Sequence, residues 1–511
     1  MVGATSGVDC EVAIVGGGPV AAVLLALLDR YGVSAIAFEQ ETEIFPQPRA
    51  VGFDDETMRT FQAVGLGEYV AALCHPSSGM TFENESGTIL LDWNTVPGRV
   101  TDQGWIHRYY FHQPSLERLL GNRLAASGGV ELRRGHRVTA VRPVADGVQL
   151  SVVDLGRGIR QRVLARWVVG CDGASSLVRE CAGARYQVLA PDRQWLVVDA
   201  VLHRDVKLPD RSVQYCWPSR PHMYIRLPGP RRRWELMVMP EDDLRTITDA
   251  KQVACLLTRF LRPGDADIQR AALYRVRSTL TNRWRCGRLI LAGDAAHLQP
   301  PLLGQGLCSG IRDVANLAWK LALVCARQAP PGLLDTYESE RAPHARAWIE
   351  EATRLARILQ TTDHIQAAQR DSELLAGDRD LRSIRPPLGP GLHGTAPAPA
   401  GTLSIQPRDD SGARLDDVVG LRFAVVARTG LIAALHRTHA QLLGDTRYVA
   451  VLTDATAHAA ALLERYDRDM VIIRPDRYVL GAADQLSEAT QLLNRIPLAA
   501  AVAGDTTRPA R

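Results

Sequence analysis

The chain has 511 residues, 46% hydrophobic and 23% charged, which is apolar material for about three domains and excludes wholesale disorder. The formal net charge is only +4, spread along the chain, which excludes nucleic acid as a partner. Nine cysteines, without a CxxC pair or zinc spacing, argue against a disulfide framework and a metal site and fit a reducing, cytoplasmic setting.

Residues 11–15 (EVAIV) read as a buried strand, residues 21–31 as a helix and residues 34–39 (SAIAFE) as a second strand. The apolar run at 12–28 is not expected to span a membrane, because Gly16, Gly17, Gly18 and Pro19 interrupt it. Asp9 and Glu11 precede it where a signal peptide would carry basic residues. The turn Gly16-Gly17-Gly18-Pro19-Val20-Ala21 is a GxGxxG pattern with alanine in the last place. Gly16 allows the tight turn, Gly18 lets the backbone approach a pyrophosphate, and Ala21 keeps helix and strand close. The helix that follows points its positive end at the phosphates. Glu39 ends the second strand 21 residues after Gly18, where a carboxylate accepts hydrogen bonds from an adenosine ribose. This βαβ unit predicts a dinucleotide but does not separate FAD from NAD.

Further strands are expected at 137–141, 147–153, 167–171 and 288–292, and residues 195–239 alternate in the manner of an antiparallel sheet. Strand alternation puts Tyr215 and Trp217 on one face, and Arg231-Arg232-Arg233 reads as a solvated loop. The strand at 288–292 ends in Gly293-Asp294, so Asp294 stands where open α/β sheets bind ligands and can accept bonds from ribityl hydroxyls. Gly304-Gln305-Gly306 follows and opens a helix, and Gly310 to Cys325 reads as a long, mostly apolar one. Small residues there let backbone N–H groups reach a flat flavin ring, and the helix dipole stabilises negative charge on it. No second GxGxxG follows, so a nicotinamide cofactor has no domain of its own.

Three motifs stand in order: GGGPVA at 16–21, Cys171-Asp172-Gly173-Ala174-Ser175-Ser176-Leu177-Val178-Arg179, and GDAAHLQPPLLGQG at 293–306. Together they resemble the fingerprints of the FAD-dependent aromatic hydroxylases related to p-hydroxybenzoate hydroxylase, over roughly residues 10–350. Residues 48–56 (PRAVGFDDE) are most similar to the 3-(3-hydroxyphenyl)propionate hydroxylase group. The resemblance implies an α/β fold with a glutathione reductase-like Rossmann FAD-binding domain (1–80, 106–182 and 281–390) and an antiparallel-sheet substrate domain (81–105 and 183–280). It implies FAD contacts at Arg49, Gln113, Asp172, Gly173, Gly293, Pro301 and Gln305, beside the glycine turn, Glu39, Asp294, Gly304 and Gly306. Cys308 departs from the asparagine of many relatives, Ala21 from the usual third glycine, and His107 from a common proline.

The implied activity is that of a single-component monooxygenase. NADH or NADPH reduces FAD, O2 adds to give C4a-hydroperoxyflavin, and one oxygen passes to a phenolic or other electron-rich aromatic substrate. A disulfide reductase is disfavoured by the lack of CxxC, and a flavin halogenase by the lack of WxWxIP. A phenol reacts faster as phenolate, so a base near its hydroxyl is useful. His107, Tyr215, His222 and Tyr224 are the candidates, each equally readable as a packing residue. The same chemistry on a polyketide or polycyclic product, including a Baeyer–Villiger outcome, stays open, as do a non-enzymatic flavin-binding protein and a homo-oligomer. The resemblance also implies that substrate speeds flavin reduction through movement of the ring.

Composition shifts at 382–401 (RSIRPPLGPGLHGTAPAPAG), a linker signal. The segment from 391 to 511 is similar to the C-terminal thioredoxin-like domain of larger flavin hydroxylases. It holds no cysteine, which excludes thiol redox chemistry and leaves a structural or oligomerising role. Its RPDRYVLG is similar to a RPDGYVAWR hairpin, with Arg477 in place of glycine. All flavin motifs end before Glu350, so the tail is expected to be dispensable for the flavin apparatus.

Overall fold

The computed structural model describes residues 8–498, so residues 1–7 and 499–511 of the expected first and last domains lie outside the described residues. Cys10–Val15 pairs in parallel with Ala35–Glu39 on one side and Arg160–Gly170 on the other. Val130–Arg134 and Leu289–Leu291 extend this sheet, again in parallel. Strands covered on both faces are apolar throughout, and Val12, Ala13 and Ile14 are all fully buried. The Pro19–Arg30 helix links the first two strands and buries Ala21 through Leu28. The helix expected at 310–325 begins earlier, at Gln305, and runs to Cys325.

The second sheet has eight strands, in the order His297–Leu298, Ala266–Thr281, Tyr186–Leu202, Arg231–Met237, His222–Arg226, Ser212–Tyr215, Gly79–Glu83 and Ile89–Asn94. Its register defines two faces. Gln214, Met223 and Glu235 stand opposite one another on neighbouring strands, and so do Val213, Tyr224 and Trp234. The second row joins Leu196, Val198 and Leu236 in an apolar cluster closed by Ile247, Val253 and Leu257. The Arg231-Arg232-Arg233 run is part of a strand, not a solvated loop. Alternation sends Arg233 inward, to 2% exposure. Asp199, its register partner on the next strand, compensates it at 2.7 Å.

A third sheet runs Val449–Thr453, Phe423–Ala427, Met470–Ile473 and Val479–Ala483, with the first pair parallel and the others antiparallel. Helices Thr429–Gly444, Ala457–Tyr466 and Leu486–Leu493 complete a thioredoxin-like connectivity. Arg477 adopts φ 73°, the left-handed conformation that glycine would take without cost. Its guanidinium is held by Asp416 at 3.2 Å and by the Gly420 carbonyl at 2.6 Å, which offsets that cost.

The proline- and glycine-rich stretch is packed rather than open. Leu388, His393 and Ala400 are buried, and the Gly389 N–H donates to the Glu340 carbonyl at 2.9 Å. A Cβ on Gly391 would clash with the Glu340 side chain, so this glycine serves close approach rather than flexibility. Behind it lies a fully buried ionic cluster. Arg474 donates to Glu340 at 2.9 and 2.7 Å and to Asp476 at 2.6 Å, and Lys320 donates to Glu340 at 2.6 Å. Arg59 and Asp416 form a second such pair at 2.9 Å. The tail is thus joined to the flavin-motif helices by buried charge, at odds with a dispensable appendage. No helix among the described residues is long and apolar enough to cross a membrane.

The cluster sets an acid limit. Burial pushes the Glu340 carboxyl up, but Arg474 and Lys320 outweigh burial and hold it well below the usual carboxylate range. A depressed folded-state pKa gives stability that is complete above the unfolded value of about 4.3 and lost as pH falls below it. The melting temperature of the wild type should therefore fall between pH about 5 and about 3, and Glu340→Gln should be less stable at neutral pH with a shallower acid decline. Equal acid slopes for the two proteins, followed by circular dichroism, would refute this role.

Candidate active site

A cavity of about 450 Å³ lies between the carboxyl ends of the parallel strands and the inner face of the antiparallel sheet. Twelve of the expected cofactor residues line it: Gly18, Pro19, Val20, Ala21, Arg49, Gln113, Gly173, Gly293, Asp294, Pro301, Gly304 and Gly306. Gly16, Glu39, Asp172 and Gln305 stand behind the wall. Gly16 has φ 101°, and a Cβ there would clash with the Cys171 carbonyl, so this glycine lets the ends of two parallel strands lie close together. Glu39 accepts from the Gly17 N–H at 2.7 Å and the Glu41 N–H at 2.9 Å. Asp172 accepts from the Val178 N–H at 3.1 Å, while its Oδ1 is buried without a partner and burial pushes its carboxyl up. Gln305 turns away and spans Asp54 at 3.1 Å and Arg312 at 2.8 Å.

FAD fits this lining on two observations. A Cβ on Gly18 or Gly306 would meet nothing within 4 Å, so bare backbone at the start of two helices faces open cavity. Neither helix has a side-chain cap, which leaves first-turn N–H groups free for a pyrophosphate at one and a ring carbonyl at the other. Asp294 opens into the cavity as well. The protein mass around it raises its pKa, and His297 and Arg49 oppose that shift.

The positioning roles of several residues are not legible in the sequence, that of the expected contact Gln113 among them. Gln113 Oε1 accepts from the Arg49 and Ala50 N–H groups at 2.9 and 2.8 Å, so its amide holds the backbone of the arginine segment. From the other side, Arg233 donates to the carbonyls of Pro48 and Arg49. Asp313 accepts from the Gly293 N–H at 3.0 Å and from His297 at 2.6 Å, which fixes the Gly293-Asp294 turn. An aspartate inside an apolar helix was the available signal for it. Cys308 is buried below the Gly304 turn, 3.5 Å from the Gly304 carbonyl, and burial pushes its thiol up to about 12, so it stays neutral and away from the cavity.

None of the four proton-transfer candidates reaches the cavity. Tyr215 stacks on His222 at 4.5 Å on the outer face of the sheet, where Tyr224 packs on Trp234 at 5.6 Å. Burial lowers His222 to about 4. His107 stands edge-on to Trp93 in a separate small pocket beside Asp54 and His344, and burial lowers its pKa. On the three strands at 212–215, 222–226 and 231–237, the residues that do face the cavity are Ser212, Gln214, Met223, Ile225, Arg233 and Glu235, one position out of phase with the candidates.

A parallel sheet with a glycine turn, facing a mainly antiparallel sheet across a large cavity, defines a flavoprotein with a single dinucleotide fold. The chain belongs to the FAD binding domain family, whose model matches residues 9–352, and the HcaD C-terminal domain model matches residues 401–496. It is 36% identical to a probable NADH-specific resorcinol 4-hydroxylase of Rhodococcus jostii, with 98% of this chain and 96% of that protein covered. It is 34% identical to a 3-(3-hydroxy-phenyl)propionate/3-hydroxycinnamic acid hydroxylase of Mycolicibacterium gilvum, covering 94% and 90%. Among solved structures, aklavinone-11 hydroxylase with FAD and aklavinone matches with a TM-score of 0.80 at 21% identity, covering 96% of this chain and all of that one. The flavin-dependent monooxygenase PieE matches with a TM-score of 0.78 at 22% identity, covering 96% and 99%.

Proposed function

We propose that the protein is an FAD-dependent monooxygenase that takes electrons from NADH and places one oxygen atom from O2 on a phenol. The observation that carries this reading is the large cavity, with bare helix N-termini on one wall and a sheet face of mixed polar and apolar residues on the other. The two hydroxylase relatives support the phenolic substrate, and the NADH-specific one supports the electron donor. FAD, when bound, supplies electron acceptance and oxygen activation. The chain's own residues bind, orient and desolvate. Gly18 and the first turn of the Pro19–Arg30 helix take the pyrophosphate, Asp294 the ribityl hydroxyls, and the backbone at 304–306 the ring. Met80, Met223, Ile225 and Leu302 form an apolar bed for the substrate ring and exclude water. The buried Tyr110 and Ser212 hydroxyls, 2.6 Å apart, can relay a phenol proton, each accepting one as it passes its own on toward solvent. Gln214 Oε1 is buried without a hydrogen-bond partner among the described residues, and a substrate hydroxyl would satisfy it.

The domain division that accompanies this reading is an FAD-binding part at 1–80, 106–182 and 281–390, a substrate sheet at 81–105 and 183–280, and a tail at 391–511. Sheet membership supports it, with Gly79–Glu83 moving one boundary to 79.

The test is spectroscopic. NADH added without air should bleach the yellow protein, and air should restore the colour while resorcinol or 3-(3-hydroxyphenyl)propionate gains one oxygen. Colour that NADH leaves unchanged would overturn the reading. Asp294→Ala should lose FAD affinity by at least about tenfold, since a hydrogen bond to a charged acceptor contributes about 1.5–3 kcal/mol. Unchanged affinity by fluorescence titration would remove Asp294 from the site.

A further inference from the structure

Arg108 is a buried guanidinium without a counter-charge. It is 8% exposed, lines the large cavity and has no carboxylate within 4 Å among the described residues. The other buried arginines, apart from Arg179, do face carboxylates, as Arg59 faces Asp416 and Arg312 faces Asp54. Arg179 is satisfied differently. It donates to the Tyr186 hydroxyl and to the carbonyls of Ala174 and Ala295, and lies 4.1 Å over the Tyr186 ring. Arg108 makes one hydrogen bond, to the Leu303 carbonyl at 2.6 Å, and sits 5.4 Å from the Trp93 ring and 5.9 Å from the Tyr110 ring.

The acids nearby are already engaged. Asp54, its register partner, is taken by Arg312, Thr57 and Gln305, and Asp55 by Arg385 and Thr101. Glu235, across the cavity, lies 3.7 Å from Arg233. The remaining cavity arginines differ in kind: Arg49 and Arg275 are exposed, and Arg277 pairs with Asp192 at 3.4 Å. An arginine keeps its charge in a protein and offers five N–H donors, so a buried one with a single carbonyl partner is under-satisfied. It stands beside Tyr110, Leu302 and the Gly304 turn in the cavity wall.

We propose that Arg108 is a substrate-recognition residue, and that the cavity takes aromatic substrates bearing an anionic oxygen, a carboxylate or a phenolate, for which Arg108 is the counter-charge. The inference rests on the aromatic-substrate reading above. Charge-assisted pairing with a planar guanidinium would also fix the orientation of the ring in the apolar bed. For a phenolate, the same pairing would hold the more reactive ionised form.

The test uses FAD-loaded protein without nicotinamide, with ligand binding read from the change in flavin absorbance. One arm compares 3-(3-hydroxyphenyl)propionate with its primary amide, and the other follows resorcinol from pH about 7 to about 10, where a phenol ionises. Wild type should bind the acid about tenfold or more tighter than the amide if carboxylate is the anion, or bind resorcinol progressively tighter with pH if phenolate is. Arg108→Gln should erase whichever preference wild type shows, and Arg108→Lys should restore part of it. The proposal fails if wild type shows no charge preference in either arm. It also fails if Arg108→Gln weakens acid and amide alike, or shifts the flavin midpoint potential while ligand affinities stay unchanged. Turnover plays no part in these titrations. A protein that keeps the charge preference but hydroxylates nothing would therefore overturn the monooxygenase reading alone.

Discussion

Gly18→Val is expected to purify as a folded protein that has lost its FAD. Gly18 has φ −70° and ψ −177°, an extended conformation that valine adopts readily, so the backbone is not strained. A Cβ at Gly18 meets no protein atom within 4 Å, so the new side chain collides with nothing in the chain itself. It does fill the cavity in front of the uncapped first turn of the Pro19–Arg30 helix. A pyrophosphate displaced from that turn loses two or more charge-assisted hydrogen bonds, together about 4 kcal/mol, or roughly a thousandfold in affinity. Gly16→Ala should behave oppositely. Its φ of 101° and the clash with the Cys171 carbonyl force two paired strand ends apart, so it should fail to fold. The flavin-to-protein ratio and a circular dichroism melt separate the outcomes. A Gly18→Val protein with full flavin content would remove the glycine turn from the cofactor site.

Arg474→Met should destabilise the whole chain by about 3–5 kcal/mol, because it leaves Glu340 and Asp476 in the interior with too little positive charge. Both carboxylates are nearly free of solvent, and Glu340 would keep only Lys320 as a cation. Urea unfolding measures the loss, and a change below about 1 kcal/mol would mean that the cluster is replaceable. Truncation at Gly401 should be more severe than loss of solubility. It strips Arg59 of Asp416 and Glu340 of Arg474 at once, and takes Tyr478 from Glu56, which it contacts at 2.7 Å. Such a protein should not retain FAD.

The sequence revealed most where chemistry demands particular residues close together in the chain. The turn at 16–21, the acid at Asp294 and the glycines at 304–306 are local patterns, and they line one cavity. The substrate wall was harder to read. Alternation places Tyr215 and Gln214 on opposite faces, but nothing local says which face meets the ligand. Tyrosine and histidine can move protons, which makes the aromatic face the natural candidate. The structure uses that face for packing against Ile247, Val253 and Leu257 and turns Ser212, Gln214 and Met223 to the cavity. The stretch at 382–401 is ambiguous for a related reason. Glycine and proline mark both flexible linkers and tight approach, and only the distant Glu340 decides between them. Arg474 and Asp199 were illegible for the same cause, since a buried charge is recognised by a partner far away in sequence.

The most direct measurement is single-turnover oxidation of FAD-loaded protein with NADH, isotopically labelled dioxygen and a phenol such as resorcinol. The account predicts one labelled oxygen in the aromatic product for each NADH consumed. NADH consumption that yields only labelled hydrogen peroxide, with every offered phenol unchanged, would contradict it.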